Sequence, residues 1–275
     1  MRMTRSLVTL LVVAGLMAGY VPMAVAAEAA RLSPVLDRIQ AKKELVVGTA
    51  ASMPPFNMTT KDGKVVGMEI DLANLIAGAM NVKLTLKTVH FNGLLPALEA
   101  GQVDMVLSNM TITPARNLKF AFVGPYFVSG KSILIKQKYA ESMNEISKIN
   151  NPDYILTALK GSTSQAFAEK VFPKTKLVPV EDYDQAVAMV REDKAHAMVA
   201  DMPICQVTAY RYRDAGLMTL KNPLSYEPIG IAIPANDLLL LNWLQNCLLS
   251  IEKDGTLGMI VERWFKDGSW LSQLR

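Results

Sequence analysis

From Leu45 onward, short apolar runs alternate with amphipathic helical segments, and the alternation is completed twice. A chain with this rhythm is confined to α/β architectures in which helices cover a largely parallel sheet. The first set predicts a strand over Leu45–Thr49, a turn at Asp62-Gly63 and a helix over Met68–Met80 with Met68, Leu72, Leu75, Ile76 and Ala79 at helical spacing. A period-two strand over Lys83–Lys87, a helix over Gly93–Ala100 and a strand over Met105–Leu107 complete it. The pattern then breaks at Gly124-Pro125-Tyr126-Phe127-Val128-Ser129-Gly130, which reads as irregular. It restarts with strands at Ser132–Ile135, Ile155–Ala158, Lys176–Val180 and Ala197–Ala200, and helices at Ser164–Val171 and Tyr183–Glu192. A strand over Gly230–Ile233, a long helix from Asp237 and a terminal helix around Leu257–Phe265 follow. Two sheet units imply two lobes. A chain crossing near Tyr126–Gly130 and returning near Leu224–Glu227 would insert the second lobe (129–225) into the first (27–128 and 226–275). Ligands of open α/β sheets sit beyond the carboxyl ends of the strands, so facing lobes make a cleft.

The N-terminus carries the parts of an export signal. Met1-Arg2-Met3-Thr4-Arg5 is positive, Ser6 to Tyr20 is an apolar run too short for the ~20 residues of a membrane span, and Ala24-Val25-Ala26 supplies small residues for cleavage after Ala26. The expected mature protein is exported to the periplasm, where a disulfide between Cys205 and Cys247 is permitted but buried free thiols are equally compatible.

With 51% hydrophobic and 20% charged residues the chain is too apolar for disorder. Its net charge of +4 is not gathered into a basic stripe, which gives no support to nucleic-acid binding. The two Cys and two His show no ligand spacing, so neither a structural metal nor a cofactor is expected.

Four segments follow strand ends and could carry chemistry. The first is Gly48 to Phe56. In the second, Ser108 to Arg116, hydroxyls precede an arginine, which suits bidentate capture of a carboxylate and equally describes a capped helix start with Arg116 in solvent. In the third, Gly161-Ser162-Thr163-Ser164 opens a helix, either as an anion site or as an ordinary cap. The fourth, Asp201-Met202-Pro203, is a common cap and is also placed to receive an ammonium.

These residues carry a resemblance. Pro54-Pro55-Phe56, Gly67-Met68-Glu69-Ile70-Asp71-Leu72-Ala73, Phe91-Asn92-Gly93-Leu94-Leu95-Pro96-Ala97-Leu98, Val103-Asp104-Met105-Val106, Met110-Thr111-Ile112-Thr113-Pro114-Ala115-Arg116 and Asp254-Gly255-Thr256-Leu257 occur in order. The chain resembles the family 3 solute-binding proteins of bacterial amino-acid uptake systems over about Leu45–Phe265. The resemblance implies the type II periplasmic binding-protein fold, two α/β lobes joined by a two-strand hinge, in a monomer that delivers an amino acid to the membrane permease of an ABC importer. It also implies that Arg116 grips the ligand carboxylate with Thr111, Ser162 and Thr163, that Asp201 pairs with the ammonium, and that Phe91 packs on the side chain. Met53 stands where many relatives carry an aromatic residue. Ala50, Met53, Phe91 and Asn109 would then surround the ligand side chain without a charge, which favours a neutral one.

Two other functions fit the same fold. An exported cyclohexadienyl dehydratase would need a general acid at the helix opening, where this chain has Gln165, and His90 and His196 are isolated from any nucleophile. A sensor that presents its liganded state to a membrane receptor would use the same closed surface as a transporter.

Overall fold

A computed structural model describes residues 33–274 apart from Asn144; the expected leader at 1–26 lies outside the described residues. In chain order the strands are β1 (Glu44–Thr49), β2 (Ser52–Met53), β3 (Asn57–Thr59), β4 (Val65–Val66), β5 (Lys83–Thr88), β6 (Met105–Val106) and β7 (Phe120–Ser129). Then come β8 (Lys131–Lys136), β9 (Ile155–Leu159), β10 (Lys176–Val180), β11 (Ala197–Asp201), β12 (Leu217–Thr219) and β13 (Glu227–Pro234). They form one five-stranded sheet in the order β5-β1-β6-β13-β7, another in the order β10-β9-β11-β8-β12, and a small sheet of β2, β3 and β4.

Parallel pairing of β1 with β5 and β6, and of β9 with β10 and β11, follows from the helices that connect them. The inner strands of such sheets are covered on both faces and need apolar side chains on both. Accordingly Leu45, Val47, Met105 and Val106 in the first sheet and Leu156, Ala158, Ala197 and Val199 in the second are fully buried. Each large aliphatic chain hidden this way contributes about 1.5–3 kcal/mol.

The first sheet takes β1 and β5 to β7 and then only β13. Everything from β8 to β12 lies between β7 and β13 in sequence, although those two strands are antiparallel neighbours with Ser129 opposite Glu227. The stretch Gly124–Gly130, irregular by sequence, runs mostly within β7, because a register shift between Ile229 and Ile231 absorbs its glycine and proline. Close approach there requires glycine: a Cβ on Gly230 would lie 2.7 Å from Ile112 Cδ1, and Gly124 has φ +131. Phe127 of β7 stacks on Phe265 at 4.5 Å and meets Phe56 edge-on at 5.2 Å, which ties the Pro54-Pro55-Phe56 loop to the terminal helix Thr256–Phe265. Another boundary shifts as well: the helix expected from Gly93 starts at Phe91, whose ring is buried in the core.

Two buried carboxylates hold the ends of these elements. Asp237 caps its own helix Leu238–Lys253 through Leu240 N at 2.9 Å and also accepts from Val35 N (2.7 Å), Leu36 N (3.1 Å) and Ser33 Oγ. One side chain therefore satisfies the first turns of two helices, its own and Pro34–Lys42, about 200 residues apart in sequence. Glu69, in the first turn of the helix Met68–Ala79, accepts from Asn109 N at 2.6 Å, Asn57 Nδ2 at 2.5 Å and the Tyr126 hydroxyl. It joins the loop after β6, the small sheet and β7. Burial pushes the Glu69 carboxyl above its usual range, with the three donors partly opposing.

Replacing Asp237 with Ala should lower stability by about 2–4 kcal/mol in urea unfolding, since several buried donors lose their acceptor together. For Glu69 the expectation concerns pH. Below about 4.5 both the folded and unfolded chains hold the proton. As pH rises, the unfolded chain releases it first, so the stability associated with this group is present at low pH and lost upward. Glu69→Gln keeps an acceptor for Asn109 N and escapes that loss. It should gain on the native protein by up to ~1.4 kcal/mol per pH unit above pH 4.5, and parallel urea curves for the two proteins at pH 4.5 and 7.5 would contradict this.

Candidate ligand-binding site between the two sheets

Arg116 lies on the one-turn helix Pro114–Asn117, which Pro114 starts and which Thr113 caps by accepting Arg116 N at 3.2 Å. So short a turn folds the side chain back over its own loop. Nη1 donates to Thr111 O at 2.8 Å, Nη2 donates to Gly161 O on the second-sheet side at 3.3 Å, and the guanidinium stands 5.7 Å from the Phe91 ring centroid. Both acceptors are neutral carbonyls, and Arg116 forms no ion pair among the described residues. Burial lowers its pKa to about 10, with Glu227 and Asp201 opposing, so it stays charged at neutral pH.

The opposite end of the site is acidic. Asp201 closes β11 and Lys131 opens β8, and the antiparallel register sets them directly opposite each other. Lys131 Nζ donates to Asp201 Oδ1 at 2.9 Å and lies 3.3 Å from Glu227 Oε2 at the start of β13. Asp201 Oδ2 accepts from Asn109 Nδ2 at 2.8 Å, which links the two sheets. Glu227 accepts from Thr111 Oγ1 at 3.0 Å and Ser225 Oγ at 3.0 Å; burial raises its pKa, but Lys131 and these hydroxyls outweigh that and hold it below the usual range. Asn109 adopts φ +49, tolerable for an asparagine, and its Oδ1 is buried without a hydrogen-bond partner among the described residues.

Six of the residues singled out by sequence come together. Phe91, Arg116 and Thr111 form one side, Thr111 Oγ1 lies 3.2 Å from Thr163 Oγ1 across the gap, and Asn109 meets Asp201. Asp201 stands at a helix start yet makes no side-chain cap, whereas Ser162 is a cap: its Oγ accepts Gln165 N at 3.1 Å and donates to Leu159 O at 2.6 Å. Met53 is buried in the core, with its sulfur 3.9 Å from Ser108 Oγ. Beside half-buried Ala50, a cavity of about 350 Å³ opens between the sheets, lined also by His90, Glu181, Asp182 and Asp184.

Sequence reasoning missed Lys131 and Glu227. Lys131 had a readable signal, a cation at the head of the otherwise apolar run Ser132–Ile135. Glu227 was hidden in a turn-like Tyr226-Glu227-Pro228. Elsewhere, His196 Nδ1 accepts from Ile155 N at 2.9 Å between the rings of Tyr139 and Tyr154, His90 is exposed, and Cys205 and Cys247 are free thiols. Among the described residues no group of three or more His, Cys, Asp or Glu could hold a metal ion, and no helix is long and apolar enough to cross a membrane.

Comparison with known proteins gives this geometry a context. Residues 45–267 match the model for bacterial extracellular solute-binding proteins, family 3. The ABC transporter arginine-binding protein 1 of Escherichia coli K12 is 26% identical over 82% of this chain and 92% of its own length. The glutamine-binding protein of Geobacillus stearothermophilus is 31% identical over 71% of this chain and 74% of its own. Among solved structures, the ancestral amino acid-binding protein AncCDT-1, described as a precursor of cyclohexadienyl dehydratase, shares 37% identity with a TM-score of 0.79 over 84% of this chain and 99% of that one. A putative binding component of an ABC transporter from Wolinella succinogenes DSM 1740, complexed with lysine, shares 35% identity with a TM-score of 0.80 over the same fractions. The two α/β units thus form the type II periplasmic binding-protein fold. The chain belongs to the family 3 bacterial extracellular solute-binding proteins.

Proposed function

We propose that this protein captures an α-amino acid with an uncharged side chain in the periplasm and hands it, as a monomer, to the permease of an ABC importer. The observation that carries this reading is the distribution of charge across the site. At one end Arg116 is a cation with no ion pair among the described residues, while at the other Asp201 and Glu227 share the single positive charge of Lys131. One unit of each sign is left over, in separate places, and a zwitterion supplies the complement. Asn109 Oδ1, buried and unpartnered among the described residues, is a further acceptor at the ammonium end. In this reading Arg116, Thr111 and Thr163 take the carboxylate, with Ser162 setting the helix start that presents Thr163, and Asp201 with Asn109 takes the ammonium. Phe91 flanks the side chain, and Met53 supports that wall from beneath.

Contributions from both sides make closure part of binding. In this reading the described parts of the lobes are 33–128 with 226–274, and 129–225, and the β7–β8 and β12–β13 crossings are the hinge. A second reading has a specific observation behind it: the cavity beside Ala50 is lined by Glu181, Asp182 and Asp184, which suits a cationic distal group, and one relative is named for arginine while another is complexed with lysine. Glu181 already pairs with Lys160 at 2.7 Å and Asp182 caps Gln185 N at 2.8 Å, which favours the neutral ligand. For dehydratase chemistry the residue at the helix opening, Gln165, is an amide that accepts from Gly161 N at 2.8 Å and cannot serve as a proton donor.

Thermal-shift ranking of the amino acids should place a neutral one first; a charged one at the head of the series would sink the specificity assigned here. Arg116→Ala should weaken calorimetric binding at least a hundredfold, because the ligand carboxylate would be buried without its partner, and Asp201→Asn should weaken it in the same direction. Small-angle scattering should show compaction on ligand addition. Mass spectrometry of the periplasmic form should show residues 1–26 removed.

A further inference from the structure

A lysine with no exposed surface stands inside the proposed ammonium pocket. Lysine is almost never fully buried unless paired, and here the pairing is unequal: one ammonium contacts two carboxylates, Asp201 at 2.9 Å and Glu227 at 3.3 Å. A single carboxylate would have neutralised it. Its place is also fixed by backbone. Lys131 lies opposite Asp201 in the β8–β11 ladder, and its N–H donates at 3.0 Å to Ser225 Oγ, which itself donates to Glu227 Oε1 at 3.0 Å. The acidic end therefore has room, electrostatically, for two cations, of which the protein supplies one.

We propose that Lys131 is a ligand-specificity residue: its ammonium fills one of two cation positions at the acidic end of the cleft, so that a ligand can bring one positive charge there and not two. The proposal rests on the zwitterion reading above and accounts for Glu227, which that reading uses only as part of the charge balance. Without Lys131, the vacated position between Asp201 and Glu227 would accept a second ammonium near the first. Charge selectivity would change although every group assigned to the ligand carboxylate remained.

Two measurements test this, one of them without any amino acid. The atoms removed by Lys131→Ala are those of n-propylammonium. In the ligand-free variant, n-propylammonium chloride should raise the melting temperature above that in sodium chloride of equal ionic strength. The native protein and Lys131→Ala/Glu227→Gln should show no such difference. An equal rise in all three, or none in Lys131→Ala, overturns the proposal. Should Lys131→Ala not fold by itself, refolding in n-propylammonium decides: recovery is expected, and failure counts against the role assigned to Lys131. The second measurement is calorimetric titration with L-2-aminobutyrate and L-2,4-diaminobutyrate, which differ at the side-chain end by an ammonium. The affinity ratio should move at least tenfold toward the diamino acid in Lys131→Met and return in Lys131→Met/Glu227→Gln. The same ratio in native and variant proteins overturns the proposal. A native protein that binds no α-amino acid at all would instead overturn the function proposed above, leaving the n-propylammonium result to decide on Lys131.

Discussion

Burial of the Lys131 ammonium is the constraint around which the cleft is organised. Taking an ion of this size out of water costs several kcal/mol even after relaxation, and the cost is recovered only if the charge is paired and its neighbours are hydrogen-bonded. The surrounding residues answer that demand one by one. Asp201 is brought opposite by strand register, Glu227 arrives at the head of β13, Asn109 and Ser225 donate to the carboxylate oxygens that Lys131 leaves, and Thr111 donates to the Glu227 oxygen nearest it. Because these partners come from both sheets, the ion pair and the closeness of the two units depend on each other. A shift that pulled Asn109 from Asp201 would take away one of that carboxylate's bonds.

Much of the architecture was legible in the residues because apolar periodicity reports burial directly. The runs Leu45–Thr49 and Ala197–Ala200 became β1 and β11 with one residue added to each, since a strand covered on both faces has little choice of composition, and Lys176–Val180 became the edge strand β10 unchanged. Legibility failed where the determinant was a partner distant in sequence. Gly124 and Pro125 look like a break until the facing Ile229–Ile231 irregularity is known, and a glycine at 230 makes sense only against Ile112. The site divided in the same way. Arg116, Thr111 and Asp201 sat in motifs with a chemistry of their own, whereas Lys131 and Glu227 acquire meaning from a pairing that spans β8, β11 and β13. Ser162 shows the reverse: its sequence position suited a cap more than a ligand contact, and its hydrogen bonds to Gln165 N and Leu159 O are those of a cap.

Glu69 connects this chemistry to the frame. It is fully buried, and it holds Asn109 N, while Asn109 is the residue that reaches across to Asp201. Its third partner is Tyr126, in the strand that leads out of the first sheet. The loop that contacts the second unit and the strand on which any lobe rotation would turn are therefore fastened to one buried carboxyl. The family-like string Gly67 to Ala73 is explained by that position: Gly67 at φ +136 admits the close approach of Phe56 O, and Glu69 follows within the first helical turn.

The two ends of the site are bonded differently. Arg116 spends its donors on carbonyls of Thr111 and Gly161, one from each side of the gap, so the cation that lacks an acid is itself a bridge between the units. A neutral carbonyl is a weaker acceptor than a carboxylate, for which a charged donor contributes roughly twice as much. A ligand carboxylate entering here therefore exchanges weaker bonds for stronger ones without removing the cross-link, provided it also meets Thr163. At the acidic end, by contrast, Asp201 is already tied to Lys131 and Asn109, and a ligand ammonium adds to a network that exists without it. Under the function proposed above, differential affinity for the closed arrangement, which is what a ligand needs in order to drive closure, would come chiefly from the carboxylate end. In the role proposed for Lys131, the acidic end would contribute discrimination by charge.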